Sequence, residues 1–174
     1  MNRKFLVMAI AFVAVAALAV PVMAEPTKGQ KVSASITVIG GEPEVPGELW
    51  VTNGGILQER NGEHTVYNIL TIGSQDYNVY SSNVQDLTIN FKTGAGVIHY
   101  DAVWYIPEEG SESGFKGNVE AKISDFNYIS GTFDRLTVHC VTQGFGDFAG
   151  QTLMLSYDGP PGIGVVWTGY CLKG

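Results

Sequence analysis

The chain has 174 residues, 17 acidic against 10 basic side chains, a formal charge of −7 and no cluster of lysines and arginines. That balance argues against nucleic acid and anionic membranes as partners. Aromatic and β-branched residues recur throughout, and the 22 glycines are scattered without period, so disordered, collagen-like and linker compositions are excluded as well.

The N-terminus carries Arg3 and Lys4, an unbroken apolar run over 5–20, Pro21 and then Val22-Met23-Ala24. That order of basic, apolar and small residues is a secretory signal with cleavage expected after Ala24. The run is shorter than the roughly 20 apolar residues of a spanning helix, so no stable membrane anchor is expected. Cleavage would remove Arg3 and Lys4 and leave 8 basic against 17 acidic residues on a secreted or periplasmic chain.

Residues 25–47 read as a flexible lead-in, a first strand and a loop. In "KVSASITVI" Val32, Ala34, Ile36 and Val38 share one face, and "GGEPEVPGE" must be loop. The core is expected over 48–174. Asn53-Gly54 marks a hairpin between "ELWV" and "GILQE", and Asn61-Gly62 reads as a second turn. "DLTINFKT" alternates, and "GVIHYDAVWYI" is the longest candidate strand, with Ile98, Tyr100, Ala102, Trp104 and Ile106 on its apolar face. "PEEGSES" is an acidic loop without the regular spacing of a calcium site. "GFKGNVEAKI", "RLTVHCVTQ", "QTLMLSY" and "VVWTGYCLK" complete the set, with a turn at "YDGPPG".

No window past the signal keeps helical periodicity. About eight short strands at near-regular spacing predict an all-β fold. An antiparallel barrel is preferred over a β-sandwich, because closure removes exposed edges. The residues "SGFKGNVEAKI", "VTQGFGDFAGQTL", "VVWTGYCLK" and the opening "ELWVTNGGILQERNG" resemble the allene oxide cyclase barrel-like group. That group comprises plant cyclases, dirigent-type proteins and secreted prokaryotic members. The resemblance covers 48–174 and implies an eight-stranded antiparallel barrel. It carries no catalytic residue onto this chain.

Two cysteines in an exported chain favour a Cys140–Cys171 disulfide, worth about 3 to 4 kcal/mol by loop closure. In a plain meander, however, they stand two strands apart, about 10 Å, against a Cα limit of about 7 Å. Either the topology departs from a meander, or curvature closes the gap, or the thiols stay free. A His139–Cys140 catalytic pair is excluded, since adjacent strand residues point to opposite faces.

His99 and Asp101 share a face at the spacing of a two-point metal site, but that face is opposite the apolar stripe, so both are expected in solvent. Trp50, Tyr100, Trp104 and Trp167 are the candidates for lining a ligand-holding lumen. No phosphate-binding loop, dinucleotide fingerprint, HExxH or GxSxG is present, so neither a cofactor nor a catalytic residue is read here.

Three functions remain open: a module binding a small apolar molecule, a cyclase- or isomerase-like enzyme, and an extracellular structural or interaction protein. A homo-oligomer is compatible with each. Mass spectrometry of the exported protein should find its first residue at Glu25, and a mass that retains residues 1–24 would remove the export reading.

Overall fold

The computed structural model describes residues 29–107, 112–127 and 129–174. The expected signal and part of the acidic loop, including Glu108 and Glu109, lie outside them. Nine strands follow in order: β1 (Gln30–Gly41), β2 (Glu48–Val51), β3 (Ile56–Ile72), β4 (Gln75–Asn90), β5 (Ala95–Tyr105), β6 (Gly114–Ser124), β7 (Arg135–Phe145), β8 (Thr152–Gly159) and β9 (Val166–Lys173). Among the described residues there is no α-helix.

The strands from β3 to β9 form an antiparallel meander. β1 then pairs with β9 on one side and β3 on the other, which closes an eight-stranded barrel. The all-β barrel is therefore as expected, and the sandwich is excluded. Its boundaries differ: β1, set apart from the core by its flanking loop, is the closing strand. β2, where the core was expected to begin, pairs only with β3 outside the ring.

The expected turn at Asn61-Gly62 is not a turn. β3 runs through it with a bulge, the register passing from Glu59↔Leu87 to Gly62↔Gln85 while Asn61 sits at φ 56. Asp86 holds the bulge by accepting from the Asn61 backbone N–H at 3.1 Å and pairing with Arg60 at 3.6 Å. The Asn-Gly signal was genuine local chemistry, but the long pairing with β4 continues across it.

The pleat sends alternate side chains inward. Ile98, Tyr100, Ala102, Trp104 and Ile106 line the interior of β5 and its exit. They meet Phe115, Val119, Ala121 and Ile123 of β6 and Val138 and Cys140 of β7. The level through Gly62, Gln85 and Tyr100 continues by Val119, Cys140, Leu155, Gly169 and Ala34 and returns to β3 at Ile72. Such stagger tilts the strands and widens the barrel. One end is stoppered by a 3₁₀ turn over Gly146–Phe148, whose buried Phe148 ring packs on Tyr77 and Phe115 at 5.4 and 5.1 Å. The glycines of "QGFGDFAGQ" make this plug. A Cβ on Gly144 would stand 1.9 Å from the Phe148 carbonyl oxygen, and Gly146 takes φ 61.

Cys140 and Cys171 are both buried and free, so the expected disulfide is not formed. The meander is plain here: Cys140 faces Leu155 and Cys171 faces Leu153, with β8 between them. The Cys171 thiol donates to Gln151 Oε1 at 3.3 Å. Burial pushes the Cys140 thiol up to about 12, against a smaller opposite effect of Thr142, so no thiolate is available for oxidation at neutral pH. Thermal melting should give the same Tm with and without dithiothreitol, whereas a drop on reduction would show a bond.

Candidate functional site

The barrel interior is not filled. A cavity of about 150 Å³ lies along its axis, rimmed at the end opposite the Phe148 plug by Pro161, Gly162 and Val165 of the β8–β9 loop. Its walls differ in chemistry. β1, β5, β6, β7 and β9 present Ile36, Trp104, Val119, Ala121, Val138 and Trp167. β3 and β4 present His64, Asn68, Ser81 and Asn83, and Tyr100 of β5 stands beside them.

Of the expected lumen aromatics, Tyr100, Trp104 and Trp167 are brought together here, with the two indoles 6.4 Å apart. Trp50 is not. It sits on β2 outside the ring, 40% exposed, with the Arg60 guanidinium 5.9 Å over its ring. The expected lumen position of Trp50 fails because β2 pairs only with β3, outside the closed ring. The Trp167 Nε1 is buried with no hydrogen-bond partner among the described residues.

His99 and Asp101 lie on the outer face of β5 and are exposed. His99 stands opposite Asp86 on β4 and Glu120 on β6, and Glu120 stands opposite His139 on β7. Among the described residues no three His, Cys, Asp or Glu side chains converge as a metal site.

The polar wall was not anticipated. Each of its amides is anchored by one N–H: Asn68 Nδ2 donates to Ser81 Oγ at 2.8 Å, and Asn83 Nδ2 to the His64 carbonyl at 3.1 Å. The His64 ring packs against Tyr100 with centroids 6.5 Å apart. Among the described residues the His64 ring nitrogens and the Tyr100 hydroxyl have no hydrogen-bond partner. Burial holds His64 below its ordinary value, so the imidazole is neutral at pH 7 and offers one donor and one acceptor.

Beyond Tyr100 lies a pair of carboxyls. Glu59, only 2% exposed, accepts from the Gly47 backbone N–H at 3.0 Å and from Gln85 Nε2 at 3.0 Å. The same Gln85 amide donates to Glu44, carried on the loop between β1 and β2. That loop is laid along β3 by backbone bonds between Val45 and Glu63. Glu44 is raised above its ordinary carboxylate value, first by burial, then by the charge of Glu59 and the hydrogen bond between the two, with Gln85 pulling the other way. Tyr100 is raised by burial and by the charges of Glu44 and Glu59.

Periodicity missed these groups for two reasons. Glu59 reaches the interior only because the bulge shifts the inward set of β3 from Leu57 and Glu59 to Gly62, His64 and Val66. On β4 the outward row carries Tyr80 and Val84 while the inward row carries Ser81, Asn83 and Gln85, so neither face reads as the core. Runs with polar residues on both faces were the available signal.

Set against known proteins, the chain matches no protein family, no curated protein and no solved structure. Its chemistry has to be argued from the cavity itself.

A carboxyl with a raised folded-state value binds its proton more tightly when folded. Its stabilising contribution is therefore complete below the unfolded value of about 4.5 and is lost as pH rises through the folded value. Glu44→Gln removes that loss. Its Tm should match the parent's near pH 4 and exceed it increasingly as pH rises towards 7; parallel Tm curves across that range would refute the raised value of Glu44.

Proposed function

We propose that this is an exported small-molecule binding barrel, of the kind implied by its resemblance to the allene oxide cyclase barrel-like group, that takes one compact and largely apolar guest into its lumen. The observation that carries the reading is the cavity: about 150 Å³, walled by apolar and aromatic side chains, with the His64 ring and the Tyr100 hydroxyl beside it lacking hydrogen-bond partners among the described residues. Apolar cavities of about this volume take up guests the size of benzene. A few convergent polar groups in an otherwise apolar pocket are what orient such a guest. A purely structural barrel calls for a lumen packed solid with side chains, and the cavity speaks against that alternative.

A cyclase- or isomerase-like enzyme is the second reading. What favours it is that His64 and Tyr100, both displaced from their ordinary acid–base values, line one cavity, with the displaced Glu44 beyond Tyr100.

The test is a titration with cyclohexanol followed by calorimetry, beside native mass spectrometry of the exported protein for a retained guest. Binding at a one-to-one ratio is expected. It should be abolished by Ala121→Phe, which places a ring in the cavity. A protein that carries no guest and retains no apolar probe would sink the binding reading.

A further inference from the structure

The carboxyl pair gives the lumen a sign. Among the described residues the ion pairs are Arg60–Asp86, Lys122–Glu120 and Arg135–Asp158, all on exposed side chains, and none reaches Glu44 or Glu59. Among the described residues no lysine or arginine lines the cavity. Glu59 is only 2% exposed, and among the described residues no basic side chain forms an ion pair with it, the partner that ordinarily accompanies a buried acid.

The second observation is independent of that pair. Asn68 and Asn83 each commit one N–H to a protein acceptor, and their side-chain oxygens add acceptors to that wall. The aromatic rings of Tyr100, Trp104 and Trp167 present faces that attract cations and exclude anions. Tyr100 joins the two halves: it lines the cavity, and its phenol lies within the field of both carboxyls. Acceptor oxygens, aromatic faces and uncompensated carboxyls all favour the same guest chemistry.

We propose that the lumen selects a small organic cation, a protonated amine on a compact apolar body. The ammonium lies against the side of the cavity where Tyr100 borders Glu44 and Glu59, and the apolar body packs on Trp104 and Trp167. This rests on the lumen being a binding site and adds the charge of what it binds. The ammonium supplies the positive charge that no side chain brings, and its N–H groups meet the free acceptors. A neutral guest of the same shape gains only the apolar part, and an anion is repelled.

Three six-membered-ring probes of nearly equal size separate these cases: cyclohexylammonium, cyclohexanol and cyclohexanecarboxylate, each titrated into the full exported chain at pH 7. Cyclohexylammonium should bind roughly tenfold or more tighter than cyclohexanol, and the carboxylate should not bind measurably. Glu59→Gln and, separately, Glu44→Gln should bring the ammonium-to-alcohol ratio towards one. Glu44 sits on an exposed loop, so its variant keeps the test alive if the Glu59 variant fails to fold. Cyclohexanol binding as well as the ammonium, or a preference that survives the Glu44 substitution and any folded Glu59 variant, would overturn the cation inference and leave the lumen site standing. Failure of all three probes would overturn the lumen site and the cation inference with it.

Discussion

Everything in this molecule depends on one strand having two partners. β1 donates one edge to β9 and the other to β3, and without it the meander would be an open sheet with two long unpaired edges. Closure turns the inward-facing row of each strand into a wall of one enclosed space. It also sets the width of that space, because the stagger that brings Gly62 round to Ile72 tilts the strands away from the axis. The plug at Phe148 closes one end, so the lumen is a cup rather than a tube.

Within that cup a single inserted residue decides the chemistry. Had β3 been regular, Glu59 and His64 would have pointed to opposite faces, since they are an odd number of residues apart. The bulge at Asn61, pinned by Asp86, allows both to face inward. Once inside, Glu59 needs hydrogen-bond donors, and it finds them in Gln85 from β4 and the backbone of Gly47. The loop that supplies Gly47 also delivers Glu44. The route of the β1–β2 connection, the bulge and the carboxyl pair are therefore linked: the bulge turns Glu59 inward, and the connection brings both the Gly47 donor and Glu44 to it.

The sequence made the strands legible wherever one face is apolar. β5, β6 and β1 were read with the correct inward residues, because Ile98 to Ile106, Phe115 to Ile123 and Val32 to Val38 alternate against charged or polar neighbours. The same rule put His99 and Asp101 outside and separated His139 from Cys140. It failed where both faces are mixed. The β3–β4 hairpin holds polar side chains inside and aromatic ones outside, and the ladder Tyr67–Tyr80–Tyr105, with ring centres 5.9 and 6.5 Å apart, takes hydrophobic signal to the surface. Closure itself is a long-range pairing of the first strand, and no local pattern announces it. The cysteines show the converse limit, since compartment chemistry favoured a bond that strand spacing does not allow.

The polar wall is also where stability and function part company. A barrel selected for stability alone would place aliphatic side chains at Glu59, His64, Asn83 and Gln85, since satisfied polar networks in an interior are often no better than good apolar packing. Here such residues are gathered on two adjacent strands, while the remaining walls stay apolar. An interior with one polar wall, one aromatic wall and space between them has different chemistry on its two sides. A guest that is apolar on one side and hydrogen-bonding on the other fits both at once. Among the described residues, two of the polar groups facing the cavity, the His64 ring and the Tyr100 hydroxyl, have no hydrogen-bond partner, while Glu59 and Gln85 behind them are tied to one another. The tied layer fixes the geometry, and the untied layer is free to meet what enters.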